Sequence, residues 1–517
     1  MLAVIAGLIA LYFVVLRPVY DYFRHAANAR RLHCETPHTK TNSLPLGIDH
    51  IRRMNAADKR DMIPDEVLTI YKEEGVSSFQ HWLGGRRQLF TAEPRNVQAI
   101  LATQFNDFEI PENRQLNFLP MLGQGIFTAN GQLWSHSRAM LRPQFTRQQV
   151  ADLEIEELHV QQLLMHIKPD QESRWTGATN LGPLFFQLTI DSATEFLFGQ
   201  SVQSQLQALP GGMSGDHNAY NWRNLAQHFD DGTRHLGSRG RLVHLYRLHN
   251  PREFQEDCRE VHAFADHFVK QALKRADAEE KAEASGEKKR YVFLHELIKE
   301  TKDPIELRCQ LLHILLAGRD TTAGLLGWTF FLLARHPQVY SKLRKILIET
   351  FGEYDSPRDI TFERLKGCVY LQHILQESLR LYPSVPLNSR MAVKDTSLPL
   401  GGGPHGTSPM YVRKGEEVHY SVYVMQRRKD IWGPDAEEFN PERWTSRRAG
   451  WEYLPFNGGP RICLGQQFAL TEAGYVTTRL VQLFDEITAI DPTEVDKHQY
   501  SVTSAPKSVL VNLHSSK

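Results

Sequence analysis

Phe456-Asn457-Gly458-Gly459-Pro460-Arg461-Ile462-Cys463-Leu464-Gly465 is the stretch on which the reading of this 517-residue chain turns. A lone cysteine stands in a Gly-Gly-Pro loop just before a helical run that begins at Gln466. A thiolate in that position is stabilised by the helix N-terminal dipole and by main-chain N–H groups. Gly459 and Gly465 let the backbone approach a flat ligand closely, and Arg461 is placed to neutralise a carboxylate near the sulfur. On chemistry alone this is a reactive or metal-ligating thiolate, with a buried structural cysteine as the other reading.

The other cysteines, Cys34, Cys258, Cys309 and Cys368, are widely spaced and form no C-x-x-C pair. That argues against a disulfide framework or a zinc site and places the core in a reducing compartment. Lys plus Arg and Asp plus Glu number 60 each, so the basic excess of a nucleic-acid binder is missing. No Gly/Ser tract, Pro-rich spacer or solenoid-period repeat cuts the chain, which points to one large core. Residues 1–16, MLAVIAGLIALYFVVL, carry no charge. As a helix they span roughly 24 Å, slightly short of the ~30 Å hydrocarbon layer. Arg17, Arg24, Arg30 and Arg31 follow, and no small-x-small cleavage site comes closely after. The pattern predicts an uncleaved anchor with the body on the cytoplasmic side. The expected organisation is an anchor at 1–17, a hinge over 18–50 marked by Pro37 and Pro45, and a catalytic domain at 51–517.

Residues 78–93 read as a hairpin turning on Gly84-Gly85. From Pro94 to about Lys394 the pattern is mostly helical. Strands return near 391–394, 410–412 and 417–424, with a loop by composition at 399–409 and a solvated, charged connector at 273–290. One helix of about thirty residues, ~45 Å long, is predicted from the N-cap Asp303 and Pro304 to the stop at Arg335-His336-Pro337. It is apolar on all sides, so it crosses either a membrane or the core of a large protein. Gly318-Arg319-Asp320-Thr321-Thr322 interrupts its middle, and charges there are costly in lipid. A buried helix with a functional break is the better reading.

Phe456-x-x-Gly459-x-Arg461-x-Cys463-x-Gly465 resembles the haem-binding signature of the cytochrome P-450 family at every fixed position. Three further motifs follow the family's order over roughly 75–510. Ala317-Gly318-Arg319-Asp320-Thr321-Thr322 is similar to its oxygen-activation motif. The resemblance implies that Thr321 holds the reacting oxygen by hydrogen bond, that Asp320 feeds protons through water, and that Gly318 leaves room where the helix opens. Glu377-x-x-Arg380 resembles the family's E-x-x-R motif, and Pro441-Glu442-Arg443-Trp444 the later segment whose Arg443 completes a buried ion triad; the implied role is scaffold. Trp134-x-x-x-Arg138 resembles the propionate-binding helix, with Arg390 and Arg461 as further propionate partners. His136 reads as a propionate-side or surface residue.

The resemblance implies a mainly α fold with small β-sheets, haem b with an axial Cys463 thiolate, and O2 as oxidant. It also implies electrons from NADPH through a separate cytochrome P-450 reductase, a lipophilic substrate and an endoplasmic-reticulum membrane location. No nucleotide-binding glycine fingerprint occurs, in keeping with an external electron source. The stretches 122–145, 185–199 and 397–433 resemble the fungal alkane- and fatty-acid-hydroxylating branch, which implies terminal or subterminal hydroxylation of a long aliphatic chain. Oxidation of a fungal secondary metabolite is the alternative. A haem-thiolate isomerase or dehydratase would share Cys463 without needing Asp320-Thr321. Pocket-lining residues are sought in 106–130, near His313 and Ala317, and in 384–389; Phe108, Phe118, Phe127 and Leu387 fit a lining or a core role equally. Arg427, Arg428, Lys429, Arg447 and Arg448 suggest either a basic face for an acidic reductase or a merely solvated surface.

Overall fold

The computed structural model describes residues 5, 11–145, 153–211, 224–279 and 291–515. The fold is organised around the helix Pro304–Leu333, the central helix. Asp303 caps it, its carboxylate accepting the Ile305 N–H at 2.9 Å, and Pro304 occupies the first turn, where the missing N–H is no loss. With apolar residues on every side, it is sandwiched between two large apolar clusters. One joins it to Leu181–Phe198, Val369–Leu381 and Gln466–Leu483. The other joins it to Leu225–Arg241 and to the long helix Arg252–Glu279. The expected thirty-residue helix is present. The expected break is not, because the helix runs unbroken through Gly318–Thr322. Arg319 is tolerated there because Asp230 and Asp320 both pair with it.

A six-stranded sheet lies to one side, in the order Thr39–Lys40, Ser78–Leu83, Arg86–Thr91, Glu417–Ser421, Leu387–Ala392, Phe108–Glu109. The hairpin closes at Gly84-Gly85, whose φ values of 57° and 77° suit the tight turn. Two strand expectations need correction. The stretch 417–424 is a strand only to Ser421, whose Oγ accepts the Val424 N–H at 3.1 Å and caps a helical turn over Val422–Met425. Most of 399–409 is hairpin rather than loop, since Thr396–Gly402 pairs with Ser408–Val412.

The stretch 18–50 is largely structured rather than a plain hinge. Arg17–Arg31 is a helix, docked where Asn28 donates to Asp395 at 2.8 Å and where His25 and Tyr411 share a 2.9 Å hydrogen bond. Thr39–Lys40 adds the sheet's edge strand. Of the expected anchor, residues 1–4 and 6–10 lie outside the described residues, as do 280–290 of the expected connector, which is helical as far as Glu279. No helix among the described residues is long and apolar enough to cross a membrane.

Candidate functional site: a cysteine loop ringed by arginines

Two main-chain bonds hold the cysteine loop. The Cys463 N–H donates to the Phe456 carbonyl at 3.0 Å, and the Ile462 N–H donates to the Gly459 carbonyl at 3.1 Å. Gly459 has φ 65°, and a Cβ there would collide with the Leu101 carbonyl oxygen. Its role is therefore close packing on the turn Ala99–Thr103, not the approach to a flat ligand that the sequence suggested. Gly465 is different: an added Cβ would meet only Phe145, at 3.7 Å, so the protein alone leaves room for a side chain. Phe456 packs half-buried on the core beneath. Cys463 is exposed, yet burial is the main influence on its thiol, raising the pKa against the Gly465 N–H and Arg138, which lower it. A metal ion bound by the sulfur would reverse the balance, because a coordinating thiol is deprotonated outright.

Arginines surround the loop. On the helix Gly131–Leu141, Arg138 donates to the Ile462 carbonyl at 3.0 Å. Arg461 lies over the Trp134 ring at 4.3 Å and donates to the Ala129 carbonyl and Asn130 Oδ1. Arg390 and Arg114 both donate to Asn388 Oδ1, at 3.0 and 2.6 Å. Burial, then Arg390 and Arg114, lower the Arg461 pKa to about 9; burial, then Arg390, lower that of Arg114 to about 10. Among the described residues none of the four arginines has an ion pair. Four neighbouring arginines without carboxylate partners call for carboxylates, and haem b brings two propionates. The donor set fits haem: Cys463 would be its sulfur ligand, and the arginines and Trp134 would hold its propionates. Arg114 escaped the sequence reading because Glu112-Asn113-Arg114-Gln115 has no motif; only the fold brings it to the others. His136 turns away and meets Glu306 at 2.8 Å on the surface.

On the central helix, the Thr321 hydroxyl donates to the Ala317 carbonyl at 2.6 Å, and the Ser384 hydroxyl donates to the Thr321 carbonyl at 3.3 Å. Asp320 is buried, 3.0 Å from Arg319. Desolvation raises its pKa to about 6 despite that partner. The folded protein thus keeps a proton that the unfolded chain has released, and this group's contribution to stability falls as pH rises from the ordinary carboxylate range to about 6. Asp320→Asn is expected to lose that fall, read as a smaller drop in melting temperature than wild type over the same pH interval. Equal drops would mean that Asp320 titrates normally. His313 is locked by the Phe127 N–H on Nδ1 and the Gly123 carbonyl near Nε2, both at 3.3 Å. Burial takes its pKa down to about 4.

Glu377, Arg380 and Arg443 meet in the interior. Arg380 makes a two-pronged bond to the Glu377 carboxylate at 2.8 and 2.9 Å, and Arg443 reaches it at 3.3 Å. Glu377 and Arg380 are fully buried. Trp444 Nε1 donates to the same carboxylate at 2.9 Å, and Asp435 takes the rest of Arg443 at 2.8 Å; neither partner had been foreseen. Five arginine N–H bonds go to main-chain carbonyls of Gln426, Ala436, Glu438, Trp432 and Asp435. The cluster thereby pins the segment leading to the cysteine loop.

A cavity of about 370 Å³ lies between the sheet, the helix Ile48–Lys59 and the helix Leu225–Arg241, with Phe118 and Leu387 in its wall. Phe108 is core, and Phe127 packs on His313. The basic surface expected beside the loop is mostly not a surface. Arg427 is buried over Tyr423, Arg428 pairs with Glu93 and Asp430, and Arg447 lies over Trp432. Of the five only Lys429 and Arg448 are exposed.

A cysteine loop at a helix start, ringed by arginines that call for carboxylates, fits a haem-thiolate protein. The chain belongs to the cytochrome P450 family, whose model matches residues 46–513. It is 52% identical over 93% of its length to "Cytochrome P450 monooxygenase g430" of Fusarium sp, covering 84% of that relative. It is 46% identical over 92% of its length to "Cytochrome P450 52A12" of Debaryomyces hansenii, covering 90%. With "Cytochrome P450 monooxygenase alt2" of Alternaria solani it shares 45% over 93%, covering 91%. The chain is a cytochrome P450 monooxygenase, and with that class come haem, its thiolate ligand and dioxygen.

Proposed function

We propose that this monooxygenase hydroxylates a long aliphatic chain, a fatty acid or an alkane, at or near its end. The observation that carries the reading is the cavity of about 370 Å³, whose wall includes Ile70, Phe79, Phe90, Phe118, Leu236 and Val385. Its volume is that of a small-ligand site, and its wall mixes these apolar side chains with polar and charged ones. The wall also includes Arg114 and Asn388, so the cavity abuts the arginines around the cysteine loop. Haem, held by Cys463, supplies the activation of dioxygen. Arg114, Arg138, Arg390 and Arg461 neutralise its carboxylates, and Trp134 supports Arg461. Asp320, with a pKa raised toward neutrality, holds a transferable proton. Thr321 passes it on once its hydroxyl leaves the Ala317 carbonyl. Electrons come from NADPH through a membrane-bound reductase, and residues 1–17 anchor the chain in the endoplasmic reticulum with its body in the cytosol.

The test is turnover in yeast microsomes with a reductase, NADPH, and fatty acids and alkanes of twelve to eighteen carbons, with products identified by mass spectrometry. Terminal or subterminal alcohols are expected. An intact thiolate–carbon-monoxide band without aliphatic turnover would overturn the substrate class and move the search to fungal secondary metabolites. In the same assay Thr321→Ala is expected to divert most NADPH into hydrogen peroxide; unchanged product per NADPH would remove Thr321 from proton delivery.

A further inference from the structure

The cavity wall carries two histidines that the reaction itself does not use. His50 on the helix Ile48–Lys59 and His81 on the strand Ser78–Leu83 both line it, meeting edge to face with ring centres 4.8 Å apart. Asn42 Nδ2 donates to the Trp82 carbonyl at 2.7 Å, which turns its Oδ1 toward His81 Nε2 at 2.5 Å. An amide oxygen only accepts, so His81 Nε2 carries the hydrogen and Nδ1 of the neutral ring a lone pair. Both His81 Nδ1 and His50 Nδ1 are buried without a hydrogen-bond partner. Buried polar atoms are nearly always paired, so two of them on touching rings in a cavity wall mark the place of a ligand's polar group.

The surroundings choose its kind. Lys40, paired with Glu74 at 2.8 Å, faces both rings, and Arg53, paired with Glu66 and with Glu73 at 2.6 Å, faces His50; Asp49 faces both rings and Glu74 faces His81. Elsewhere on the wall Arg241 is held by Asp58 at 2.7 Å, and Glu417 lies 3.9 Å from His419. Burial first, then His81 and the two cations at His50 and Lys40 at His81, hold both rings near pKa 4, hence neutral. A neutral acceptor pair whose neighbouring cations are already balanced by carboxylates receives an acid group well: the acid brings both a proton for the ring and the negative charge that then holds it. Around His50 the chain exposes Leu46, Ile48 and Ile51, which are 62%, 40% and 49% accessible. This is an apolar collar by which a lipid chain reaches the cavity.

We infer that the His50–His81 pair is the headgroup site for a long-chain monocarboxylic acid that enters tail first, its tail running toward Arg114 and Asn388. On binding, the carboxyl O–H proton passes to His81 Nδ1, leaving a carboxylate against an imidazolium; an acid already ionised draws that proton from water. The inference rests on the aliphatic-substrate reading and adds that acids are preferred over uncharged chains, with the chain end toward the haem.

The test titrates dodecanoic acid, methyl dodecanoate and dodecane into the haem-loaded full-length enzyme, reading Kd from the absorption change on substrate binding. Wild type is compared with His50→Leu and His81→Gln. Both variants are expected to weaken the acid about tenfold, leave the ester within about twofold, and move hydroxylation inward from the chain end. Acid affinity in wild type is expected to fall as pH rises from about 6 to about 8 and to change less in the variants. Equal weakening of acid and ester, or a wild type that binds both alike, would overturn the headgroup site while the aliphatic reading stands. If none of the three binds an enzyme with an intact thiolate band, both fall together. His50 is only partly buried, so its variant decides the matter should His81→Gln not fold.

Discussion

Cys463→Ala is expected to give a folded chain with no thiolate-type carbon-monoxide band and with NADPH-supported hydroxylation at background. The loop does not depend on the side chain for its shape, since its two closing bonds run between main-chain atoms and Gly459 locks it on Leu101. The loss is therefore chemical rather than structural, because only a thiolate gives the iron the electron density that favours O–O cleavage. The control is the arginine ring. Arg390→Gln and Arg461→Gln each leave the sulfur in place, so they should weaken haem retention while preserving the band of whatever haem remains. Turnover near wild type in Cys463→Ala would remove the sulfur from the reaction.

The second large effect is on stability. Glu377→Ala is expected to cost about 3–5 kcal/mol, the range for breaking a buried ion pair by removing one partner. Among the described residues Glu377 is the sole carboxylate bonded to Arg380, and it also accepts from Trp444 and from the Asn440 N–H at 3.1 Å. Its removal strands a fully buried guanidinium. Glu442 offers the comparison within the same segment: its ion pair with Lys342 is about half exposed on both sides. Such pairs contribute about 0–1 kcal/mol, so Glu442→Ala should melt close to wild type. Chemical denaturation of the two variants side by side distinguishes a scaffold cluster from a surface one. Equal stabilities would show that Glu377 is not needed to hold the fold.

Much of this was legible in the sequence because it depends on local pattern. Asp303-Pro304 and the stop at Pro337 bounded the central helix to within a few residues, and Gly84-Gly85 announced its hairpin. The i, i+3 spacing put Glu377 and Arg380 on one helix face, but by itself such spacing describes a surface pair as well as a buried one. What sequence pattern could not supply was convergence from distant segments. Arg114 joins Arg390 and Arg461 only because a helix, a strand and a loop meet, and His50 meets His81 across about thirty residues of chain. Pattern also misled where a residue has two plausible uses. Gly459 looked like a ligand-facing glycine and is a packing glycine. The run Arg427-Arg428-Lys429 looked like a charged surface, yet it folds so that Arg427 goes inside and Arg428 finds carboxylates. Charge counted along a strand or helix start says little about which charges reach solvent.

The pairing of Arg319 with both Asp230 and Asp320 has a mechanical meaning. Asp230 belongs to the helix Leu225–Arg241, and the far end of that helix, at Leu236, Gly237 and Gly240, is a wall of the cavity. One rigid rod therefore touches the incoming chain at one end and shares a buried cation with the proton-bearing acid at the other. If the rod swings outward, Arg319 is left to Asp320 alone, which draws that carboxyl toward its ionised form. If it settles back, the cation is shared and the carboxyl is freer to hold its proton. The helix Leu225–Arg241 thus borders the cavity near one end and meets, through Arg319, the proton-bearing acid nearer the other.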